Sequence, residues 1–403
     1  FKQKTAYEIG VRLVGSEMCI RDRDILGRLD LQPTTFLSWW NKDDRYSRQV
    51  LTGDLEKIRT FYMNRGYLDF DIKNTTVSIS ETKKNVYIAI IIDEGNKYTF
   101  GDIKISGKYY PLTEESIFQN DIKTIKGEVF SRELLNQSTE SINQELGNYG
   151  YAFSNVNPIP DVDKENLIVG FNYFIEPGKK VYVRRISFVG NEKTKDKVLR
   201  REMRQFEASY YDKEKIDQST RRVKRTQYFE GVDIKTVSVP GISDQVDLTV
   251  AVKEKNTGSV KLGAGASSDE GLVGSFSVTQ ANFLGTGNTL SATINTSSVN
   301  TIYSISHIDP YYTLDGISRR ITAYTKETNT KDLDTGQYDK KALGLGVGFG
   351  IPMNEYDTVN IGFDVDMSEI NLVSSSPTRY KDYCKDVSGG DDGGCDQNEA
   401  VLS

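Results

Sequence analysis

The sequence predicts a string of small α+β units, each of order β-α-α-β-β, followed by an incomplete transmembrane antiparallel β-barrel. Three observations carry this. The same spacing of 84 residues separates Tyr67 from Tyr151 and Tyr98 from Tyr182, and the strings around them match: NRGYLDFDI with NYGYAFSNV, and GNKYTFGDIKISGKYY with GKKVYVRRISFVGNEK. A fixed period of this kind marks tandem units. After Asn256 the helical patterns stop, and strand-length segments recur between GTGN, YTLDG and MNEYD. Within those segments, apolar residues alternate with glycines and charges, a pattern that a water-soluble sandwich has little use for.

The elements follow in order. KQKTAYEIGVRLVGSEMCIRDR resembles a translated adapter sequence, so residues 1–23 are expected to be a non-native leader, and Cys19 is set aside. The expected units run over 24–95, which then lacks its first strand, 96–180 and 181–255. In the last unit VYVRRISFVG reads as a strand ending in a Gly-Asn turn. TKDKVLRREMRQF reads as a helix capped by Thr194, with Leu199, Met203 and Phe206 as its apolar stripe. YDKEKIDQSTRRVKRTQYFE supplies a second helix broken at Gly231, and VDIKTVSVP and QVDLTVAVKE alternate as two strands. Helices packed on one face of a small mixed sheet follow, with one sheet edge left open.

Residues 256–403 are the barrel segment. KALGLGVGFGIP sets Leu343, Leu345, Val347, Phe349 and Ile351 against four glycines, and NIGFDVDMSE sets Ile361, Phe363, Val365 and Met367 against Gly362, Asp364, Asp366 and Ser368. Apolar residues toward lipid and small or polar ones toward the lumen is the barrel pattern. About seven strands fit between 258 and 373, whereas bacterial barrels close with an even number from eight upward. The segment is therefore expected to be incomplete, and the chain to begin inside a longer protein and end just after a loop. No run of 18 apolar residues exists, so no transmembrane helix is expected.

Little here suggests covalent chemistry. His307 is the one histidine, set in the alternating strand IYSISHID, and by itself supplies neither a triad nor a multi-histidine metal site; it reads as a barrel-interior or interface residue. Asp364 and Asp366 share one face of a strand as solvated lumen residues. NFLGTGN lacks the lysine and helix of a phosphate loop and reads as a turn. No catalytic residue, metal site or cofactor is expected. Cys384 and Cys395 flank SGGDDGG; a loop-closing disulfide is favoured over two free thiols. With net charge −6 and a pI near 5.3 the chain is a poor nucleic-acid binder.

The repeats resemble POTRA domains, and KEKNTGSVKLGAG, TQANFLGTGN, HIDPYYTLDG and FGIPMNEYDTVNIG resemble the junction and first turns of an Omp85-family barrel, over about residues 24–373. The resemblance implies POTRA domains three, four and five, then roughly the first half of a barrel. It implies a non-enzymatic outer-membrane protein with periplasmic repeats, which folds and inserts nascent β-barrel proteins into the lipid bilayer. A POTRA-bearing pore of the two-partner secretion type is the alternative.

Three surfaces follow. TGSVKLGAG, with Gly258, Ser259, Val260, Lys261, Leu262 and Gly263, is the barrel's first strand; its glycines either weaken a seam open to strand addition or merely permit curvature. The resemblance implies that Val77 and Ile79, in TTVSIS, meet a BamB-like lipoprotein; ordinary burial on the sheet face is the alternative. It likewise assigns Arg200, Arg204 and Glu207 to a BamD-like lipoprotein. On a helix these three fall at i, i+4 and i+7, an exposed ridge within about 60°. In RRVKR, Arg221 and Arg225 share a helix face, with no assignment beyond solubility or attraction to anionic headgroups.

Overall fold

The computed structural model describes residues 8–14 (as backbone), 27–31, 47–81, 85–268, 270–330, 337–388 and 393–402. The remainder of the leader, with Cys19, lies outside the described residues. The chain divides into two compact units: residues 1–183 with 208–214 and 238–246, and residues 184–207, 215–237 and 247–403.

The first unit holds two three-stranded sheets. One is built from β1 (Glu8–Val14), β2 (Asp71–Ile79) and β3 (Asn85–Asp93) in the order β1-β3-β2, β1 running parallel to β3. Residues 8–14 thus fill the strand position that the sequence reading leaves empty. Helix α1 (Arg48–Met63) carries Ile58 and Tyr62 onto Val86, Ile88 and Ile90, and the Tyr62 ring stacks on Phe70 at 4.3 Å. The buried Asp54 carboxylate is satisfied by the amides of Asp30 and Leu31, both at 2.9 Å, and by Lys57 at 3.1 Å.

The second sheet is complete: β4 (Thr99–Gly107), β5 (Asn155–Asp163) and β6 (Ile168–Glu176) in the order β4-β6-β5, with α2 (Glu114–Asn120) and α3 (Arg132–Asn148) between β4 and β5 in sequence. Thr113 and Ser116 form a capping box on α2, and the Ser131 hydroxyl accepts from the Leu134 amide at the start of α3. Leu135, Ile142 and Leu146 of α3 reach the Phe100, Phe130 and Phe171 cluster. Burying such side chains contributes about 1.5–3 kcal/mol each. Gly66 and Gly150, the glycines of NRGY and NYGY, take φ near +103° and +100° where α1 and α3 end. A side chain at Gly66 would also press on Val129, so the repeated glycine is a requirement of this turn.

The second unit contains the third sheet except for some strand ends: β7 (Tyr182–Val189), β8 (Phe229–Ser238) and β9 (Gln245–Glu254), in the order β7-β9-β8. Its helices are α4 (Asp196–Arg200) and α5 (Lys213–Arg225). Gly231 lies inside β8 and does not break α5, which ends at Arg225.

An eight-stranded antiparallel sheet follows without crossovers. It runs β10 (Gly258–Ser267), β11 (Gly271–Phe283), β12 (Asn288–Thr296), β13 (Asn300–Asp309), β14 (Ser318–Asn329), β15 (Tyr338–Pro352), β16 (Thr358–Leu372) and β17 (Gly394–Leu402). Seven strands therefore lie between 258 and 372, and the chain's last described stretch is an eighth strand, not a loop. One register row reads Leu262, Phe276, Ile294, Tyr303, Thr325, Leu343, Met367 and Asn398. Leu262, Leu343 and Met367 are exposed on this apolar face. His307 stands in a parallel row between Leu290 and Ile321, so it shares the apolar face close to the β11–β12 turn. On the opposite face Gly344 and Gly346 are buried across from Asp366 and Asp364, and the Tyr324 hydroxyl donates to Asp366 at 2.5 Å. A Cβ at Gly344 would overlap the Tyr324 ring and the Asp366 carboxylate. Cys384, in α6 (Thr378–Ser388), is disulfide-bonded to Cys395 of β17 and buried beside Leu372.

Candidate partner site and sheet edges

The segment carrying Arg200, Arg204 and Glu207 is not the helix that its spacing predicts. Helix α4 stops at Arg200 after five residues, Lys195 occupies its N-cap position, and Thr194 is buried with its hydroxyl bonded to Asn282 at 2.7 Å. The Arg204 amide turns to the Ser219 hydroxyl of α5 at 2.8 Å, a tertiary bond in place of a helical one. Leu199 and Met203 are buried as expected, but Phe206 is 65% exposed. Beyond Arg200 the segment is therefore a loop held by tertiary hydrogen bonds, and not one continuous ridge.

Arg200 and Glu207 still meet. Their charged groups lie 3.3 Å apart, Glu207 accepts from the Ile186 amide at 2.8 Å, and Arg200 donates to the Ile186 carbonyl at 3.2 Å. The Ile186 amide, with Arg200 adding to it, holds the Glu207 carboxyl below the ordinary glutamate range. Arg204 turns the other way and forms a 2.7 Å ion pair with Glu355, in the turn between β15 and β16. Arg222 of α5 reaches the same carboxylate at 2.5 Å.

This junction contains residues that the sequence reading did not assign. Glu202 is 7% exposed; it accepts from Arg222 at 2.9 Å and from the Tyr311 hydroxyl at 3.3 Å. The Arg201 guanidinium lies over the Tyr311 ring at 4.3 Å. Arg222, the second of the four cations of RRVKR, is thus shared between Glu202 and Glu355. Partial burial works to raise the Glu355 carboxyl, but hydrogen bonds from Arg204 and Arg222 outweigh it and hold the group low. The β11–β12 turn also docks here: the Lys195 amide donates to the Gly285 carbonyl at 3.0 Å and Tyr228 donates to the Gly287 carbonyl at 3.0 Å.

A pH dependence follows from the two depressed carboxyls. A carboxyl lowered by folding stabilises the native state above its unfolded value, and that contribution disappears as pH falls through the folded value. Amide exchange at Ile186, corrected for its intrinsic pH dependence, should therefore stay constant from pH 7 to about 5 and accelerate below about 4.

Val77 and Ile79 occupy β2, an end strand of its sheet. Val77 packs against the core, whereas Ile79 is 63% exposed, so the two share a face but not an environment. Gly258, Ser259, Val260, Lys261, Leu262 and Gly263 lie on β10, the end strand of the large sheet, and every residue of β10 is exposed. Its ladder to β11 is continuous over ten pairs, from Gly258↔Gln280 to Ser267↔Gly271.

Tandem β-α-α-β-β units leading into an antiparallel sheet with one apolar face define a POTRA-bearing barrel protein. Residues 7–95, 98–178 and 181–255 each match the POTRA family (surface antigen variable number repeat), and 282–400 match the Omp85 superfamily domain. The chain belongs to this family. It is 33% identical over 90% of its length to the outer membrane protein assembly factor BamA of Neisseria meningitidis serogroup B, of which it spans 46%. It also resembles the crystal structure of BamA from Haemophilus ducreyi lacking POTRA domains 1–3, at 29% identity and TM-score 0.65, over 76% of this chain and 58% of that one. The crystal structure of Haemophilus influenzae BamA POTRA3–5 matches at 26% identity and TM-score 0.54, over 62% of this chain and 96% of that one. The eight-stranded sheet is accordingly a partial barrel.

Proposed function

We propose that this protein folds and inserts β-barrel proteins into the bacterial outer membrane, its POTRA repeats lying in the periplasm. The observation that carries the reading is the succession, along the chain, of three POTRA sheets and then a barrel sheet whose end strand is the glycine-bearing β10. An end strand presents backbone donors and acceptors to which an incoming strand can pair, a non-enzymatic form of templating. The BamA relatives carry the name assembly factor, which supports the same role. In this reading Arg200, Arg204 and Glu207 seat a BamD-like lipoprotein, Val77 and Ile79 seat a BamB-like one, and nascent barrel strands meet Gly258–Gly263.

The test is a disulfide lock in the complete protein, between cysteine at Gly258 and cysteine in the barrel's closing strand. Locking should stop insertion of a reporter barrel and reduction should restore it. Undiminished insertion by the locked protein would remove the seam from the mechanism.

A further inference from the structure

The two sheets of the first unit end in edge strands β2 and β5; β2 carries a register shift between Ile72 and Asn74, and β5 carries two prolines that β2 lacks. Strand β5 reads NVNPIPDVD and pairs with β6 over nine consecutive positions, from Asn155↔Glu176 to Asp163↔Ile168. The direction of its backbone groups follows from the far side of β6. The Ile175 carbonyl accepts from the Lys108 amide at 2.9 Å, and the carbonyl of Leu167, just before β6, accepts from the Thr99 amide at 3.0 Å. Backbone groups alternate sides along a strand, so the odd-numbered residues of β6 face β4.

Val156, Pro158, Pro160 and Val162 stand opposite Ile175, Tyr173, Phe171 and Val169. Directly opposed residues of an antiparallel pair either exchange hydrogen bonds or both turn away, so these four face the outer edge. Two of those four nitrogens belong to proline and carry no hydrogen. The outward donors that remain, on Val156 and Val162, are roughly 20 Å apart.

Strand β2 occupies the matching slots in the other sheet. Its partners Val86, Ile88 and Ile90 are buried as Val169, Phe171 and Tyr173 are, and they oppose Ile79, Val77 and Thr75. Thr75 and Val77 therefore stand where Pro158 and Pro160 stand in β5, and both have an N–H to offer.

We propose that Pro158 and Pro160 close the β5 edge to strand addition, so that an extended polypeptide docking on this unit pairs with β2 and not with β5. A strand laid along β5 would leave two of its own carbonyls without donors at the centre of the ladder, which is how edge prolines block pairing. The two prolines act as specificity determinants: they select between the two edges over the stretch where Thr75 and Val77 match Pro158 and Pro160. This extends the docking reading of β2. Its test reads peptide pairing, not assembly or lipoprotein capture, so the two can fail separately.

The probe is the peptide KKALGLGVGF, the sequence of residues 340–349, an alternating barrel strand with two lysines for solubility. A photoreactive benzophenone side chain replaces either Ser78 or Ile159 in the full chain in detergent. Peptide crosslinking is expected at Ser78 and only at background at Ile159. Pro158→Thr with Pro160→Val should raise the Ile159 yield at least fivefold, and Pro160→Val alone should raise it in part. Thr75→Pro should lower the Ser78 yield at least fivefold. Amide protection of β6 reports that each variant is folded. Wild-type crosslinking at Ile159 equal to that at Ser78, background at both positions, or no gain at Ile159 in a folded proline-free variant overturns the proposal.

Discussion

Glu202→Ala is expected to destabilise the contact between the last POTRA repeat and the barrel turns by about 3–5 kcal/mol, the usual range when one partner of a buried ion pair is removed. Glu202 is 7% exposed, and its carboxylate joins Arg222 with Tyr311. The alanine variant leaves Arg222, whose side chain is 18% exposed, with Glu355 as its remaining counterion. It also removes the ion pair that Arg201 makes among the described residues, from its Nε to Glu202 Oε1 at 3.8 Å. At about 1.4 kcal/mol per tenfold, amide exchange across 194–228 should accelerate a hundredfold or more. Glu355→Gln should cost less, about 1 kcal/mol, because that carboxylate is 42% exposed and screened. Unchanged protection in Glu202→Ala, or a larger effect from Glu355→Gln, would show that the junction is held by something else.

Glu207→Lys is expected to abolish co-purification with a BamD-like lipoprotein, at least a tenfold loss, while the barrel keeps its fold. The substitution puts an ammonium beside Arg200 and withdraws the acceptor for the Ile186 amide, so some local loosening accompanies it. Glu207→Gln separates the two effects. Its carbonyl can still accept from Ile186, but the charge is gone; binding should fall while exchange at Ile186 stays slow. A charge at such a rim sets partner choice and register more than affinity. Full binding by Glu207→Lys would reassign the Arg200–Glu207 pair to holding the loop alone.

The fold was legible because its signals are periodic. Repeated NxGY strings located the turns after α1 and α3, and the alternation of Leu343 to Phe349 with glycine separated the two faces of β15 before any register was known. The site was legible only in part. A 3.6-residue period extended the helix at Arg200 through Phe206, but the Ser219 hydroxyl captures the Arg204 amide and ends it, and no local pattern announces a hydroxyl 15 residues away. Glu202, Arg222, Tyr311 and Glu355 escaped for the same reason: they converge from four separate segments. The one available hint was the run RRVKR, to which its composition gave no role beyond solubility or attraction to anionic headgroups. Residues 8–14 were discounted on the character of their sequence, yet their backbone pairs with β3.

The docking of the β11–β12 turn has a mechanical side. Asn282, Gly285 and Gly287 are each held by the last repeat, through Thr194, Lys195 and Tyr228. A rotation of that repeat must either break these hydrogen bonds or pull the turn with it. The turn belongs to the strand directly beside β10. Torque applied to the last repeat is thus loaded first onto β11, the neighbour of the sheet's end strand.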